Sequence, residues 1–84
     1  MKLERLIRGY DKHTEDVVCE YPLECVPLQE MAAIYPTEND PWMYDCYPIN
    51  DDSERLLRVH NDFPDLEKDT TDFFIECEAS FPVD

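Results

Sequence analysis

Glycine and basic residues are scarce in this 84-residue chain, which has one glycine and seven lysines and arginines. The single glycine, Gly9, excludes the glycine-rich loops that cradle phosphate groups in nucleotide-binding proteins. Acidic residues outnumber basic ones by 21 to 7, which gives a net charge of −14. Because such a surface repels phosphate, we expect no direct binding of nucleic acid.

The negative charge is concentrated after Lys12. Residues 13–84 hold nineteen acidic side chains and three basic ones, a net charge of −16, whereas the first twelve residues carry +2. A domain with this much self-repulsion is typical of proteins that bind a basic partner or that rely on charge for solubility. The charge pattern therefore predicts a basic protein partner.

Long apolar runs and paired cysteine motifs are also missing. No segment approaches transmembrane length, and the first twelve residues carry charges where a secretory signal needs an apolar run. The four cysteines form no CxxC pair, so we expect reduced, buried thiols in a cytoplasmic protein without membrane association. Since His13 and His60 lack partners at ligand spacing, neither a metal nor another cofactor is expected.

Hydrophobic residues make up 43% of the chain, enough for a single small domain over residues 1–84. Residues 3–10 and 17–21, separated by turn residues, predict a β-hairpin. Alternating patterns predict two further strands at residues 43–47 and 72–79.

Two short helices are expected between these strands. The first lies between Pro27 and Pro36, where apolar residues follow the i, i+3, i+4, i+7 pattern. The second begins at a capping box of Asp51 and Glu54. Its predicted core-facing stripe is Leu56, Val59, His60 and Phe63. The order β-β-α-β-α-β indicates an α+β fold, a mainly antiparallel four-stranded sheet with two helices on one face.

No catalytic residue is predicted. Cys46 or Cys77 with His60 is the one combination of nucleophile and base that the chain offers, and the carboxylates beside both cysteines disfavour a thiolate. Pairs of carboxylates suited to hydrolysis are unavoidable among 21 acidic residues, so their presence does not indicate a hydrolase. A small carboxylate-dependent hydrolase stays an alternative.

Two acidic runs are the candidate binding sites. The predicted partner-binding residues are Glu38, Asp40, Trp42, Tyr44, Asp45, Asp51 and Asp52 in the first run, and Asp62, Asp65, Asp69 and Asp72 in the second. Carboxylates on a rigid scaffold with a few aromatic anchors suit a protein that occupies the phosphate-binding cleft of a nuclease or imitates nucleic acid. The competing interpretation is that both runs are solvated loops.

Three segments of the chain resemble a known family. They are Gly9-Tyr10-Asp11-Lys12 with Thr14, Met43-Tyr44-Asp45-Cys46-Tyr47-Pro48-Ile49, and Phe73-Phe74-Ile75-Glu76-Cys77. Together they resemble small acidic bacterial proteins that begin with a hairpin and end with an aromatic strand. Those proteins resemble immunity proteins of contact-dependent and other interbacterial toxin systems. The resemblance implies a link to such systems, and it carries over no catalytic residue.

We therefore expect an immunity protein, not an enzyme, that binds a toxin domain stoichiometrically and covers its active surface. The partner is expected to be a basic nuclease domain. The alternative is a nucleic-acid-mimicking inhibitor of a host defence enzyme, of phage or plasmid origin, which would use the same acidic surface against another target.

Overall fold

The structure, a computed structural model, describes residues 2–62 and 67–80. The described residues form four strands and two helices in the order β-β-α-β-α-β. In chain order these elements are β1 (Lys2–Asp11), β2 (Val17–Pro22), α1 (Leu28–Ala32), β3 (Tyr47–Pro48), α2 (Asp51–Val59) and β4 (Thr71–Ser80). The predicted α+β fold and its element order are confirmed.

One antiparallel sheet joins the strands in the spatial order β2-β1-β4-β3. The two ten-residue strands, β1 and β4, pair along their whole length and form the centre of the sheet. Because side chains alternate along a strand, the register defines two faces. Ile7 lies across from Ile75 on the inner face, and Arg8 lies across from Phe74 on the outer face.

The core lies between the inner face and the two helices. Ile7 and Ile75 of the sheet cluster with Met31 of α1 and Leu57 of α2, and none of the four is more than 2% exposed. Full burial of one such side chain contributes about 1.5–3 kcal/mol. The cluster is completed by Tyr35, Met43, Tyr47 and Phe73. Both helices thus lie on one face of the sheet, as the sequence predicts.

Gly9 lies on the inner face at a point of close packing. A Cβ atom here would lie 2.6 Å from Cys19 Sγ, 2.7 Å from Phe73 Cε1 and 2.9 Å from Thr71 Cγ2. Separations this short force neighbouring atoms to move, because protein interiors contain little free volume. The one glycine of the chain is therefore required by its neighbours in β2 and β4.

The third strand is shorter than predicted. The sequence indicates a strand at residues 43–47, but β3 has only two residues. Met43 has a φ of 51°, in the left-handed region, and the Asp40 carboxylate accepts hydrogen bonds from the backbone N–H groups of Tyr44 and Asp45. These N–H groups are satisfied by a side chain and not by a neighbouring strand, so the extended pairing begins later.

The second helix begins with a different capping box. The Asn50 side chain accepts a hydrogen bond from the Ser53 N–H, and the Ser53 hydroxyl accepts one from the Asn50 N–H, both at 2.9 Å. The predicted pair of Asp51 and Glu54 is therefore wrong by one residue. Both carboxylates instead lie in the first turn, where the helix dipole favours negative charge.

The core-facing residues of α2 also differ from the predicted stripe. Ser53 and Leu57 are fully buried, whereas Val59 is 72% exposed. Leu56 and His60 are half-buried, and Phe63 lies outside the described residues. Hydrophobicity alone favours the predicted stripe, but the buried face of the helix contains Ser53 and Leu57, which are four residues apart.

All four cysteines lie among the described residues as free thiols. Cys19 and Cys77 lie in strands and are partly buried, while Cys25 and Cys46 are exposed. The prediction of buried thiols is therefore wrong for the last two, which lie in connections outside the regular elements.

Candidate binding surfaces

Residues 36–46, here called the tryptophan loop, connect the first helix to β3. Asp40 organises this loop. Its carboxylate accepts hydrogen bonds from the Tyr44 N–H at 2.9 Å, the Asp45 N–H at 3.0 Å and the Tyr47 hydroxyl at 2.7 Å. The Tyr47 hydroxyl, followed by the two backbone donors, lowers the pKa of Asp40. Asp40 is thus a structural centre of the loop, which leaves it poorly suited to direct contact with a partner.

Two further contacts attach the tryptophan loop to the rest of the molecule. The Met43 side chain is 1% exposed and belongs to the core. The Arg5 guanidinium on β1 donates a hydrogen bond to the backbone carbonyl of Trp42. The left-handed backbone of Met43 is unusual for a residue with a side chain and is maintained by these surrounding contacts.

The side chains on either side of Met43 are exposed to solvent. Trp42 is 60% exposed and Tyr44 is 55% exposed. Glu38 and Asp45, two more of the predicted partner-binding residues, are also exposed in this loop. The loop therefore presents two aromatic side chains with carboxylates in the same short segment, on a backbone fixed by Asp40 and by the core.

Asp51 and Asp52 lie apart from these aromatic residues in sequence, in the first turn of α2. Both are exposed, and Asp52 forms an ion pair with Arg55 at 3.5 Å. Asp51 and Asp72, which belong to different acidic runs, line one groove of about 260 Å³. Two lysines line the same groove, so its negative charge is partly balanced.

Asp62 has an internal role. Its carboxylate accepts hydrogen bonds from the backbone N–H groups of Glu24 at 3.2 Å, Cys25 at 2.7 Å and Val26 at 2.6 Å. Burial opposes ionisation of Asp62, but the three backbone donors outweigh it and lower the pKa. The carboxylate joins the segment after α2 to the segment before α1.

Two more residues of the second acidic run lie in the part of the chain that the structure describes. Asp69 and Asp72 are exposed, and Asp72 lies 3.5 Å from the ammonium group of Lys12. Asp65 lies outside the described residues. Of the two acidic runs, the first therefore supplies the better defined surface, because it includes exposed aromatic side chains.

The outer face of the sheet carries a charged cluster that sequence reasoning missed. The Arg8 guanidinium contacts Glu20 at 3.1 Å, Glu76 at 2.8 Å and Glu78 at 2.9 Å. Glu76 also accepts a hydrogen bond of 2.5 Å from the Tyr10 hydroxyl. Burial lowers the pKa of Arg8, but its hydrogen bonds and the nearby carboxylates outweigh this effect and raise it overall.

The signal for this cluster was present in the sequence but needed the strand register. Arg8 follows the core residue Ile7 directly, so it had to face away from the core. In the same way, alternation along the strand predicted at residues 72–79 puts Glu76 and Glu78 on the face opposite Ile75. What the sequence could not supply was the pairing of β1 with β4, which joins residues 68 and 70 positions apart.

Beside this cluster lies a cleft of about 450 Å³ on the outer face, here called the outer cleft. Tyr10 and Phe74 form two of its walls, with ring centroids 5.7 Å apart and ring planes at 75°. Glu76 and Cys46 also line it. The hydrogen bond to Glu76, together with burial, raises the pKa of Tyr10 and keeps its hydroxyl a donor.

Two side chains that could serve in catalysis, Cys46 and His60, have acidic neighbours. Burial, with Glu76 and Asp45 nearby, raises the pKa of the Cys46 thiol, which disfavours a nucleophilic thiolate. His60 has Glu30 as its partner at 3.3 Å. Among the described residues, no group of three or more His, Cys, Asp or Glu side chains is placed to hold a metal ion. Neither described helix is long and apolar enough to cross a membrane.

Comparison with known proteins places the chain in a family. A domain family of unknown function, DUF7683, matches residues 4–76, which include most of β1, most of β4 and every described element between them. The search of curated proteins found no match. The matched region contains the tryptophan loop, Arg8 and Glu76. Since the match covers most of its length, this chain belongs to the DUF7683 family of domains of unknown function.

Proposed function

We propose that this protein is an immunity protein, which forms a stoichiometric complex with a basic toxin nuclease domain and covers its active surface. In this proposal the tryptophan loop is the centre of the interface. The exposed carboxylates around it, Glu38 and Asp45, face the basic surface of the toxin.

The observation that carries the proposal is the exposure of Trp42 and Tyr44 on an anchored loop. Aromatic side chains, tryptophan and tyrosine above all, dominate the energetics of protein interfaces. The loop backbone is already held by Asp40 and Met43, so binding would order little additional chain. A preorganised surface of this kind loses less conformational entropy when the complex forms.

Charge supports a basic partner. The net charge of −14 creates a long-range negative field that accelerates encounter with a positively charged surface. A nuclease domain offers such a surface, because it binds phosphate through lysine and arginine side chains. The resemblance to immunity proteins of interbacterial toxin systems supports a toxin as the source of that domain.

The lowered pKa values of three carboxylates count against acid–base catalysis. A general acid or base works best with a pKa near the working pH. In this protein the pKa values of Asp40, Glu54 and Asp62 are all lowered, by the donors that contact them. Such groups are fixed charges at neutral pH, so the carboxylate-dependent hydrolase is the weaker alternative.

A nucleic-acid-mimicking inhibitor of a host defence enzyme would present the same exposed carboxylates. We favour the toxin partner because three segments of the sequence resemble small acidic proteins that are similar to immunity proteins of interbacterial toxin systems. We also place the protein in the cytoplasm, where an incoming toxin would be met and where free thiols such as Cys25 and Cys46 persist.

The test begins with the gene directly upstream, because an immunity gene is expected to lie directly downstream of a large toxin gene. The terminal toxin domain is expressed alone and together with this protein. We expect co-expression to restore growth, and the purified proteins to elute as one complex whose mass gives equal numbers of both chains. Absence of a complex, or protection by much less than one equivalent, would contradict the proposal and point to a nucleic-acid mimic or an enzyme.

A further inference from the structure

The outer face of the sheet has a cleft to which the proposed function assigns no role. Both described helices pack on the inner face, so neither covers the outer cleft between Tyr10 and Phe74. The volume of about 450 Å³ lies within the roughly 300–1,000 Å³ that is usual for ligand pockets. Glu76, whose side chain is only 9% exposed, lines the cleft and forms an ion pair with Arg8.

The charges around the outer cleft determine which ligands it can accept. Arg8 supplies one positive charge to three carboxylates, so this cluster has an excess of two negative charges. Asp11, Glu15 and Asp72 also line the cleft, against one lysine, Lys12. Each of the three Arg8 guanidinium nitrogens already contacts a glutamate, so Arg8 is not open to an anionic ligand. The surroundings are therefore complementary to a cation.

The aromatic walls of the outer cleft favour a planar cation. Tyr10 and Phe74 present aromatic surfaces at a large interplanar angle, which allows a planar cation to stack on one ring while its edge meets the other. A guanidinium group is planar and weakly hydrated, and it donates hydrogen bonds to carboxylates in its own plane. These properties suit a partner's arginine better than a lysine, whose ammonium group is compact and strongly hydrated.

We propose that the outer cleft receives an arginine side chain of the bound partner, stacked against Tyr10 and Phe74 and paired with Asp72. This proposal rests on the proposed function, because it gives the same basic partner a second point of attachment. Cys46 connects the two surfaces, since it lies two residues after Tyr44 and lines the cleft. One partner surface can therefore contact the tryptophan loop and the cleft together.

The test uses the isolated 84-residue protein and a single side chain as the probe. The ¹⁵N-labelled protein is titrated with N-acetyl-arginine amide while backbone amide shifts are recorded. We expect saturable shifts confined to the surroundings of the cleft, with a dissociation constant in the millimolar range. The matched control ligand is N-acetyl-citrulline amide, which has nearly the same shape but no charge, and it should leave these amides unshifted.

Variants locate the site. Phe74→Ala removes one aromatic wall and should weaken arginine binding by about tenfold, the scale of one cation–π contact. Asp72→Asn changes only an exposed side chain and should also weaken it, which keeps the test valid if Phe74→Ala disturbs folding. Val59→Ala, an exposed position on the helix that packs on the opposite face of the sheet, is the control variant and should bind the probe as the unmodified protein does.

Two outcomes would overturn the assignment. One is a set of shifts spread over the acidic surface without saturation, and the other is equal binding of the citrulline probe. No toxin is present in this titration, so its failure would leave the role of Trp42 in the complex intact. Conversely, absence of any toxin complex would overturn the proposed function while leaving a measured arginine site in place.

Discussion

Asp62 accepts hydrogen bonds from three consecutive backbone N–H groups, those of residues 24–26. A carboxylate so placed is a fixed part of the fold, as Asp40 is in the tryptophan loop. Glu38 and Asp45, by contrast, are exposed. At the residue scale, acidic residues that are neighbours in the sequence therefore have two different roles. Some accept hydrogen bonds from the backbone within the fold, and others are exposed charges.

The internal role of Asp62 predicts a dependence of stability on pH. The folded protein holds the pKa of Asp62 below its ordinary value of 3.8, so the ionised form stabilises the fold. This contribution is fully present above about pH 5 and is lost as pH falls through the lowered folded-state pKa. Asp62→Ala should reduce the free energy of unfolding at pH 7 by roughly 1.5–3 kcal/mol, the value of hydrogen bonds to a charged group.

Urea denaturation at several pH values measures this effect. The difference between the unmodified protein and Asp62→Ala should shrink as pH falls from about 5 to about 3. Asp69→Ala, an exposed acidic residue, serves as the control and should have little effect on stability at pH 7. A constant difference at every pH would show that the Asp62 charge does not stabilise the fold.

Gly9 allows a second prediction at the residue scale. Its missing side chain leaves room for Cys19, Phe73 and Thr71, and a Cβ atom would approach all three within 2.9 Å. Gly9→Ala should therefore destabilise the protein by about 1–3 kcal/mol, the usual effect of overpacking. Combining it with Cys19→Ala removes the nearest atom and should restore part of the loss. Unchanged urea midpoints in Gly9→Ala would contradict the packing described here.

At the scale of elements, the first turn of α2 distinguishes two possible caps. Asn50→Ala removes the side chain that accepts the Ser53 N–H and should destabilise the protein by about 1 kcal/mol. Asp51→Ala, at the position that sequence reasoning assigned to the cap, removes only a favourable interaction with the helix dipole and should have a smaller effect. Thermal unfolding of the two variants, compared side by side, measures this difference. Equal losses of stability would reject the observed cap.

The strands also show which parts of the fold can be predicted from sequence patterns. The β1–β2 hairpin and β4 could be predicted because their alternation is local and strong. The presence of β3 was also predicted, but its bounds could not be, because the Asp40 carboxylate accepts hydrogen bonds from the backbone that a longer strand would have used, and no pattern of hydrophobicity records such bonds.

The candidate sites follow the same rule. The tryptophan loop could be found from composition, since Trp42 lies between acidic residues and prolines. The outer cleft could not, because Arg8 and Glu76 meet only when the first and last strands pair.

At the scale of the whole molecule, the proposed function predicts that charge governs how fast the partner is captured. With a net charge of −14, association with a basic domain should be steered at long range. We expect the association rate constant to fall at least about tenfold between low ionic strength and physiological salt, where the Debye length is about 8 Å. Stopped-flow measurements at several salt concentrations test this expectation. A rate constant that does not change with salt would exclude electrostatic steering.

The proposed function requires that the Trp42 side chain binds the partner without supporting the fold, and the affinity of Trp42→Ala for the toxin domain tests this most directly. Val59→Ala, which shortens a side chain that is 72% exposed on α2, is the matched control. We predict that Trp42→Ala weakens binding by about 2 kcal/mol or more, roughly thirtyfold, in calorimetric titration. Val59→Ala should bind normally, and both variants should unfold at nearly the same urea concentration as the unmodified protein. Normal affinity of Trp42→Ala, or a sharp loss of its stability, would contradict the claim.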